Sequence, residues 1–500
     1  MYRTSAVPSS RHRPAVSRNW RSFGRRSVMS VALVATAVVL PACARNPVTG
    51  HRELALISEA QEIQMGREAA QQAAQSLGLV QDDALQQYVQ RIGAKLASNS
   101  ERPGLPWTFR VVDDASPNAF ALPGGFIFVT RGMMNLMTNE AELASVLGHE
   151  IGHVTARHSV QQMSRGQLAQ LGLGIGSILA PEAAQQFGQL ASTGLQLLFL
   201  KYGRDDERQA DELGFKYALE ANYDVRYMAD VFAALDRLGD ASGQSPVPPW
   251  LSTHPDPGDR VETARARVAQ LTRPLTNTIV DRGPYLAHID GLVYGENPRN
   301  GFFEDGSFIH PDLRFRLQMP TGWKAQNLPQ AVVAMSPQQD AILQLTLVPG
   351  TSATAAAQQF VRQEGVQAGQ AFQQSINGIP AAGSYFQAQT EQGPVQGLAA
   401  FFSFDGNTYQ LLSYAVDNRF SAYEPAVRST VGSFRALTDR KLLDIQPRRM
   451  HIVTLDRTQT LAELASSQHS PLSPAELAIL NGVPSADTPL ERGMAVKIVR

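Results

Sequence analysis

The spacing of apolar residues along this 500-residue chain changes character several times. Residues 58–98 read as helical, and Ser58-Glu59-Ala60-Gln61 has the form of a capping box, with Ser accepting from the first turn and Gln reaching back. Trp107 to Val112 and Gly125 to Thr130 read as short strands. Between them, Asn118-Ala119-Phe120-Ala121-Leu122-Pro123-Gly124-Gly125 has the proline and paired glycines of a sheet edge or a turn. From Glu140 to His158, residues Leu143, Val146, Leu147, Ile151 and Val154 recur at helical spacing, which predicts one helix. Residues 168–200 are rich in Gly, Ala and Leu, and are broken by Pro181-Glu182 and Gln185-Gln186. They predict two buried or amphipathic helices and no membrane span. Helix follows from about Asp205 to Ala221 and on to about Thr272.

Beyond that point the period shifts to two. Leu313-Arg314-Phe315-Arg316-Leu317-Gln318-Met319 alternates as a half-buried strand does, and so do Leu343, Leu345 and Leu347. Phe404-Asp405-Gly406-Asn407-Thr408 carries the Asp-Gly signal of a hairpin. Helical stretches near 353–364 and 422–434 intervene, so residues 286–440 predict an α+β domain. Arg440-Lys441 and Pro447-Arg448-Arg449 mark a linker, and residues 446–500 a small unit of their own.

Composition narrows the classes. At 43% hydrophobic and 18% charged the chain is globular, and long disorder is disfavoured. The net charge of −1 hides an asymmetry: seven arginines lie in the first 26 residues, leaving 37 basic against 45 acidic residues elsewhere. Such a mildly acidic body argues against a nucleic-acid partner. One cysteine excludes an intrachain disulfide and a multi-cysteine metal cluster.

That cysteine has a suggestive place. No acidic residue precedes Glu53, and Arg25-Arg26 is followed by an apolar run from Val28 to Leu40 and then Pro41-Ala42-Cys43. A basic flank, an apolar run and a small residue form a secretory signal, and the run is shorter than the roughly 20 residues of a membrane span. Leu40-Pro41-Ala42-Cys43 also resembles a bacterial lipoprotein box, in which Cys43 becomes the lipidated first residue, so residues 1–43 are expected to be a signal peptide with lipobox. Ala44 rather than Asp at the next position favours, by resemblance to the sorting pattern, the inner face of the outer membrane. The rival readings are an ordinary buried cysteine and a mitochondrial presequence.

The sharpest chemical signal is His149-Glu150-Ile151-Gly152-His153. On a helix, His149 and His153 share one face and can bind one metal ion, and Glu150 can approach a water there: the H-E-x-x-H pattern. Two imidazoles on an otherwise apolar helix are costly to bury without a partner. Catalytic zinc commonly takes three protein ligands, so a third is needed. Glu207-Arg208-Gln209-Ala210-Asp211 places two carboxylates one helical turn apart. One can bind metal while the other bonds the free nitrogen of a ligand histidine, although a solvated acidic face next to Asp205 and Asp206 would read the same.

Four stretches together resemble a known family: Asn118 to Gly125 with the following Phe-Ile-Phe strand, His149 to His158, Tyr202 to Asp211, and Ser252-Thr253-His254-Pro255. They look like the zinc metalloproteases that include the HtpX, BepA and Oma-type peptidases and the CAAX prenyl endoproteases (peptidase family M forty-eight). The resemblance covers roughly residues 45–270. It implies a zincin-like, mainly α protease domain with a small edge sheet over residues 44–285, with Zn²⁺ on His149, His153 and Glu207. Glu150 would be the general base, and Asp211 and His158 would support the ligands from behind. Asn118, Ala119, Phe120 and Ala121 would form the strand that pairs with substrate backbone. His254 would be a residue that can reach the metal, hold the enzyme latent and then assist catalysis. Asn46-Pro47-Val48-Thr49-Gly50 after Cys43 is typical of the lipoprotein members. BepA-like proteins continue into helical tetratricopeptide repeats, and this chain does not.

Residues 446–500 resemble a LysM module, a small βααβ unit binding N-acetylglucosamine-containing glycans, with His451–Leu455 and Ala495–Val499 as its strands. The implied partners are unfolded or misassembled envelope proteins, a membrane through the lipid anchor, and peptidoglycan. The alternative is a mainly latent protease acting as an assembly chaperone or peptidoglycan-bound scaffold.

Overall fold

A short hairpin comes first among the described residues: β1 (Cys43–Arg45) pairs antiparallel with β2 (Arg52–Leu54). The computed structural model describes residues 43–54, 56–170, 202–241, 250, 253–254, 257–390, 393–416 and 419–500. The leader over residues 1–42 and most of the apolar 168–200 segment lie outside the described residues.

The predicted capping box starts α1 (Glu59–Leu77), with Ser58 accepting from the Gln61 amide and Gln61 from the Ser58 amide. The stretch 58–98 that reads as helical forms two helices. Gly78 takes φ +71°, Val80 donates to the Val111 carbonyl, and α2 (Asp83–Ala97) restarts behind Asp82, whose carboxylate accepts from the Leu85 amide. Pairing of this short stretch with a strand is what interrupts the helix.

That strand is β3 (Thr108–Val112). It lies parallel to β5 (Phe126–Thr130), which pairs antiparallel with β4 (Ala119–Leu122), so the order is β3-β5-β4 and β4 is an edge. Next come α3 (Arg131–Leu136), capped by Thr130, and α4 (Glu140–Thr155), capped by Asn139. The helix predicted to reach His158 ends three residues early. Arg157 turns to φ +60° and its guanidinium binds Glu62 at 3.0 Å and the Ile57 carbonyl at 2.9 Å, after which α5 (His158–Gln170) begins afresh.

The N-terminal body is completed by α6 (Arg204–Glu220), α7 (Tyr227–Ala241), α8 (Pro257–Ala269) and α9 (Arg282–Ile289). Helices α4 and α6 touch backbone to backbone. A Cβ on Gly148 would stand 3.0 Å from the Gly214 carbonyl oxygen, and one on Gly214 would stand 2.7 Å from the His149 nitrogen. Only glycine permits that approach, and it is what brings the α6 carboxylates to the α4 histidines.

Residues 302–436 fold around a second core. One sheet has four strands: β6 (Phe302–Glu304), β7 (Ser307–His310), β8 (Phe315–Gln318) and, far along the chain, β16 (Arg435–Ala436). The other contains β9 (Lys324–Leu328), β10 (Ala331–Met335), β11 (Ala341–Val348), β12 (Val366–Ile376), β13 (Ile379–Thr390), β14 (Gly393–Phe404) and β15 (Asn407–Val416), in the order β12-β13-β14-β15-β11-β10-β9. The Asp405-Gly406 turn joins β14 to β15 with both residues at positive φ, as an Asp-Gly hairpin requires. Phe360 of α10 (Ala353–Phe360) packs with Phe386, Ala399 and Phe401. Val427 and Val431 of α11 (Phe420–Ser433) pack with Ala400, Phe402 and Phe315. Alternate residues of β14 thus feed different clusters, so the two helices cover opposite faces of the large sheet.

After α12 (Arg440–Leu443), the chain forms β17 (Met450–Thr454), α13 (Leu461–Ser467), α14 (Pro474–Asn481) and β18 (Ala495–Val499), with β17 and β18 antiparallel. This βααβ unit does not stand apart, as the linker pattern suggested. Leu477, Leu480, Val496 and Ile498 share one apolar cluster with Met133, Met134, Leu143 and Leu147 of the N-terminal body. The Gly291 amide donates to the Met450 carbonyl, and the Met450 amide to the Leu292 carbonyl. The α+β domain is therefore an insertion between the body and its last layer. Fully buried Lys497 donates from Nζ to the carbonyls of Asn135, Leu136 and Met137 at 2.8, 3.0 and 2.8 Å. Arg282 ties the Thr138 carbonyl to that of Ala495. No helix among the described residues is long and apolar enough to cross a membrane.

Candidate metal centre

Helix α4 is buried along its length from Ala141 to Thr155, and it presents His149 and His153 on one face toward α6. Their Nε2 atoms are 3.0 Å apart. His149 Nδ1 lies 2.9 Å from Asp211 Oδ1, and His153 Nδ1 lies 2.9 Å from His158 Nδ1. With protons on the outer nitrogens, two lone pairs converge on one point, an arrangement that a shared cation stabilises. Glu207 supplies carboxylate oxygens 3.5 Å from His149 Nε2 and 3.4 Å from His153 Nε2. His254 completes the group: one donor atom each from His149, His153, Glu207 and His254 lies within 4.8 Å of all the others.

Neutral imidazoles suit a metal, and burial lowers the pKa of both His149 and His153, with Arg260 adding to the effect at His149. Burial alone would raise Glu207, but His254, His153 and His149 hold its carboxyl well below the usual range. His254 goes the other way. Although buried, it is raised by Glu207, toward which its Nδ1 points at 3.0 Å, and the same nitrogen lies 3.2 Å from His149 Nε2. Its ring stacks on Trp250 at 4.2 Å.

Glu150 stands out. It is wholly buried, neither carboxylate oxygen has a hydrogen-bond partner, and burial pushes its pKa up to about 7. His254 Nε2 lies 3.7 Å from its Oε1, too far for a hydrogen bond, and a buried carboxylate without one costs on the order of 1–3 kcal/mol or more. Its presence marks a place built for a proton-carrying ligand rather than a packed core. The donor set of two imidazoles and a carboxylate, with Glu150 alongside, fits zinc with an open position.

Behind the donors stands a residue the sequence did not flag. Arg260 at the start of α8 bonds both oxygens of Asp211, at 2.8 and 2.6 Å, and its Nη1 lies 3.4 Å from Glu207 Oε2. With His149 beside it, Arg260 holds Asp211 down to about 2 against burial. The available signal was indirect: two buried carboxylates on α6 demand a cation, and Arg260, Arg265 and Arg267 all follow His254. Tyr202, stacked on His153 at 3.8 Å, and Gln209, 2.9 Å from His158 Nε2, were likewise not singled out. His158 reaches the site from the first turn of a new helix rather than from the far end of α4. The segment Asn118–Ala121 lies at the edge β4, and the Asn118 side-chain oxygen is buried without a partner. Cys43 lies in β1, beyond which Asn46 donates to the Ala156 carbonyl at the end of α4.

A helix bearing His-Glu-x-x-His, joined by a glutamate from a neighbouring helix, is the arrangement of a metallopeptidase site. Residues 83–268 match the model of Peptidase family M48, whose metal is zinc. The Beta-barrel assembly-enhancing protease of Yersinia pestis is 34% identical over 245 residues, 47% of this chain and 50% of that one. The protein of the same name from Escherichia coli (strain K12) is 32% identical over 288 residues, 55% of this chain and 58% of that one. The mitochondrial metalloendopeptidase OMA1 of Bos taurus is 34% identical over 174 residues, 33% of each chain. The chain thus spans about half the length of the first curated relatives it matches.

Proposed function

We propose that this protein is a zinc-dependent endopeptidase that cleaves unfolded or misassembled envelope proteins in periplasmic quality control, lipid-anchored at Cys43 to the inner face of the outer membrane. The observation that carries it is the buried set of His149, His153 and Glu207 around the unpartnered carboxylate of Glu150. The names of the relatives from Yersinia pestis and Escherichia coli support the envelope setting. Bound zinc would polarise the scissile carbonyl and make its water acidic. Glu150 takes the proton from the attacking water and returns it to the leaving amine; its buried, raised carboxyl suits both transfers. Asp211, held by Arg260, fixes the His149 ring, and His158 fixes that of His153. Edge strand β4 accepts the extended substrate by strand addition. The C-terminal βααβ unit is read as LysM-like, with peptidoglycan as its ligand.

The test is bound zinc and cleavage of unfolded casein, for wild type and Glu150→Gln side by side. Zinc in both with cleavage only in wild type, a difference of about 10²–10⁴-fold, is expected. Absence of zinc in both removes the reading.

A second reading has its own observation. His254 Nδ1 sits among the donors, 3.0 Å from Glu207 and 3.2 Å from His149. This favours a latent protease, with an assembly-chaperone or scaffold role while His254 is in place. Under it His254→Ala gains activity; a variant that keeps zinc and gains none sinks the latch.

A further inference from the structure

The α+β insertion carries an edge unlike any other among the described residues. From Gly365 to Thr390 the chain has no Asp, Glu, Lys, Arg or His, in a protein that is 18% charged. This stretch is the β12–β13 hairpin, and β12 is the outermost strand of the seven-stranded sheet. β12 is 11 residues long, and only Val366, Phe372 and Ile376 are shielded to any degree. Gln367, Gln370, Gln373, Gln374 and Ser375 are exposed.

Soluble proteins disarm such edges by shortening them or placing charge on them. The opposite edge of this sheet, β9, does both: it has five residues and begins at Lys324. The edges of the four-stranded sheet are two and three residues long. β12 has one protective device, a register shift between Ala368 and Ala371, and beyond it Ala371 to Ile376 pair without interruption against Ser384 to Ile379. Every second residue of this six-residue regular stretch therefore offers its N–H and C=O outward, along an uncharged, hydrogen-bonding strip.

We infer that β12 is a docking strand that captures an extended, uncharged segment of an unassembled β-barrel protein and holds it for the protease. This rests on the proposed envelope-protease function. A membrane-spanning β-strand has about 9–11 residues of alternating character, which matches the length of β12. Its lipid-facing side lacks charge, as does the β12–β13 hairpin, so no ion is stranded on pairing. Main-chain bonding supplies affinity with little sequence demand, which suits a receptor for many misassembled strands.

The test uses the full chain carrying Glu150→Gln, so that nothing is cut. The probe is a labelled 11-residue peptide of alternating Val/Leu and Gln/Thr, followed by fluorescence polarisation. The edge variant is Gln373→Lys with Ser375→Lys. The control is Gln373→Asn with Ser375→Thr, and circular dichroism checks the folding of both. The lysine pair is expected to weaken binding by about ten-fold or more, the control to leave it unchanged, and salt to have little effect on the wild-type affinity. With Glu150 restored, the lysine pair raises KM for an unfolded barrel protein without lowering kcat, and leaves turnover of a short peptide as it was. Equal peptide affinity in wild type and lysine variant overturns the inference. So does a wild-type dimer that the lysines dissociate, because a second copy is then the occupant. If the wild type binds the peptide but cleaves nothing, the protease reading falls and the docking strand stands.

Discussion

Lys497→Met tests whether β18 sustains the helix that carries His149 and His153. The substitution keeps an apolar stem and deletes three donors that end on the carbonyls of Asn135, Leu136 and Met137. These carbonyls close α3 and lead directly into the Asn139 cap of α4. A buried acceptor left without a donor costs about 1–3 kcal/mol, which puts three at about 3–9 kcal/mol if nothing relaxes. Releasing the ammonium from burial returns part of this, so a net loss of about 2–4 kcal/mol is expected. The assay is hydrogen exchange at about pH 6, where Lys497 is an ammonium with all three donors, on the amides of residues 138–143, with β14 and β15 as an internal reference. Protection at 138–143 should fall by about 30–1,000-fold while the reference strands hold. Unchanged protection at 138–143, or equal loss in both regions, refutes the reasoning. The sign of the pH dependence gives a second check. Burial pushes the Lys497 amine down to about 7, opposed by Glu142 and reinforced by Arg282. Between that pH and about 10.5 the unfolded chain holds a proton the folded chain has released. Stability of the wild type therefore rises with pH across that window, by at most about 1.4 kcal/mol per unit, and levels off on either side. The Met variant lacks this slope.

Two other substitutions probe the site. Arg260→Leu removes the clamp on Asp211, and zinc affinity measured by chelator competition should fall by about 10–100-fold; an unchanged affinity would mean that Asp211 needs no help in holding His149. Gly214→Ala places a methyl 2.7 Å from the His149 nitrogen, so α4 and α6 must separate and both stability and zinc content should drop, by about 1–3 kcal/mol for the former in chemical denaturation.

How much of this was legible beforehand follows the range of the forces involved. Contacts within a turn or two of helix could be read directly: the Ser58–Gln61 box, the His149–His153 face, the Asp405-Gly406 hairpin. The third ligand needed the stretch around Glu207 as well as spacing, since its neighbours Asp205 and Asp206 are equally acidic. The helix breaks at Gly78 and Arg157 were not legible, because long-range partners cause them: Val111 for one, Glu62 and the Ile57 carbonyl for the other. Arg260 was hidden for the same reason, being defined by what it meets across 49 residues of chain. The docking of the βααβ unit was masked as well. The basic linker ahead of it read as a boundary, and only the fold shows Leu477 and Ile498 packed into the N-terminal body.

That docking bears on the order in which the body is completed. Helix α4, with His149 and His153, is made near residue 150, whereas the Lys497 amine that holds the chain just ahead of it lies 362 residues beyond Asn135. Synthesis runs from the amino terminus, and domains tend to fold as they emerge. A nascent chain therefore carries His149, His153, Glu207 and His254 long before it carries β18. Until that layer arrives, Met133, Met134, Leu143 and Leu147 lack the apolar partners Leu477, Leu480, Val496 and Ile498. The βααβ unit is a keystone set late, and the histidine-bearing helix rests on an open floor until it is in place.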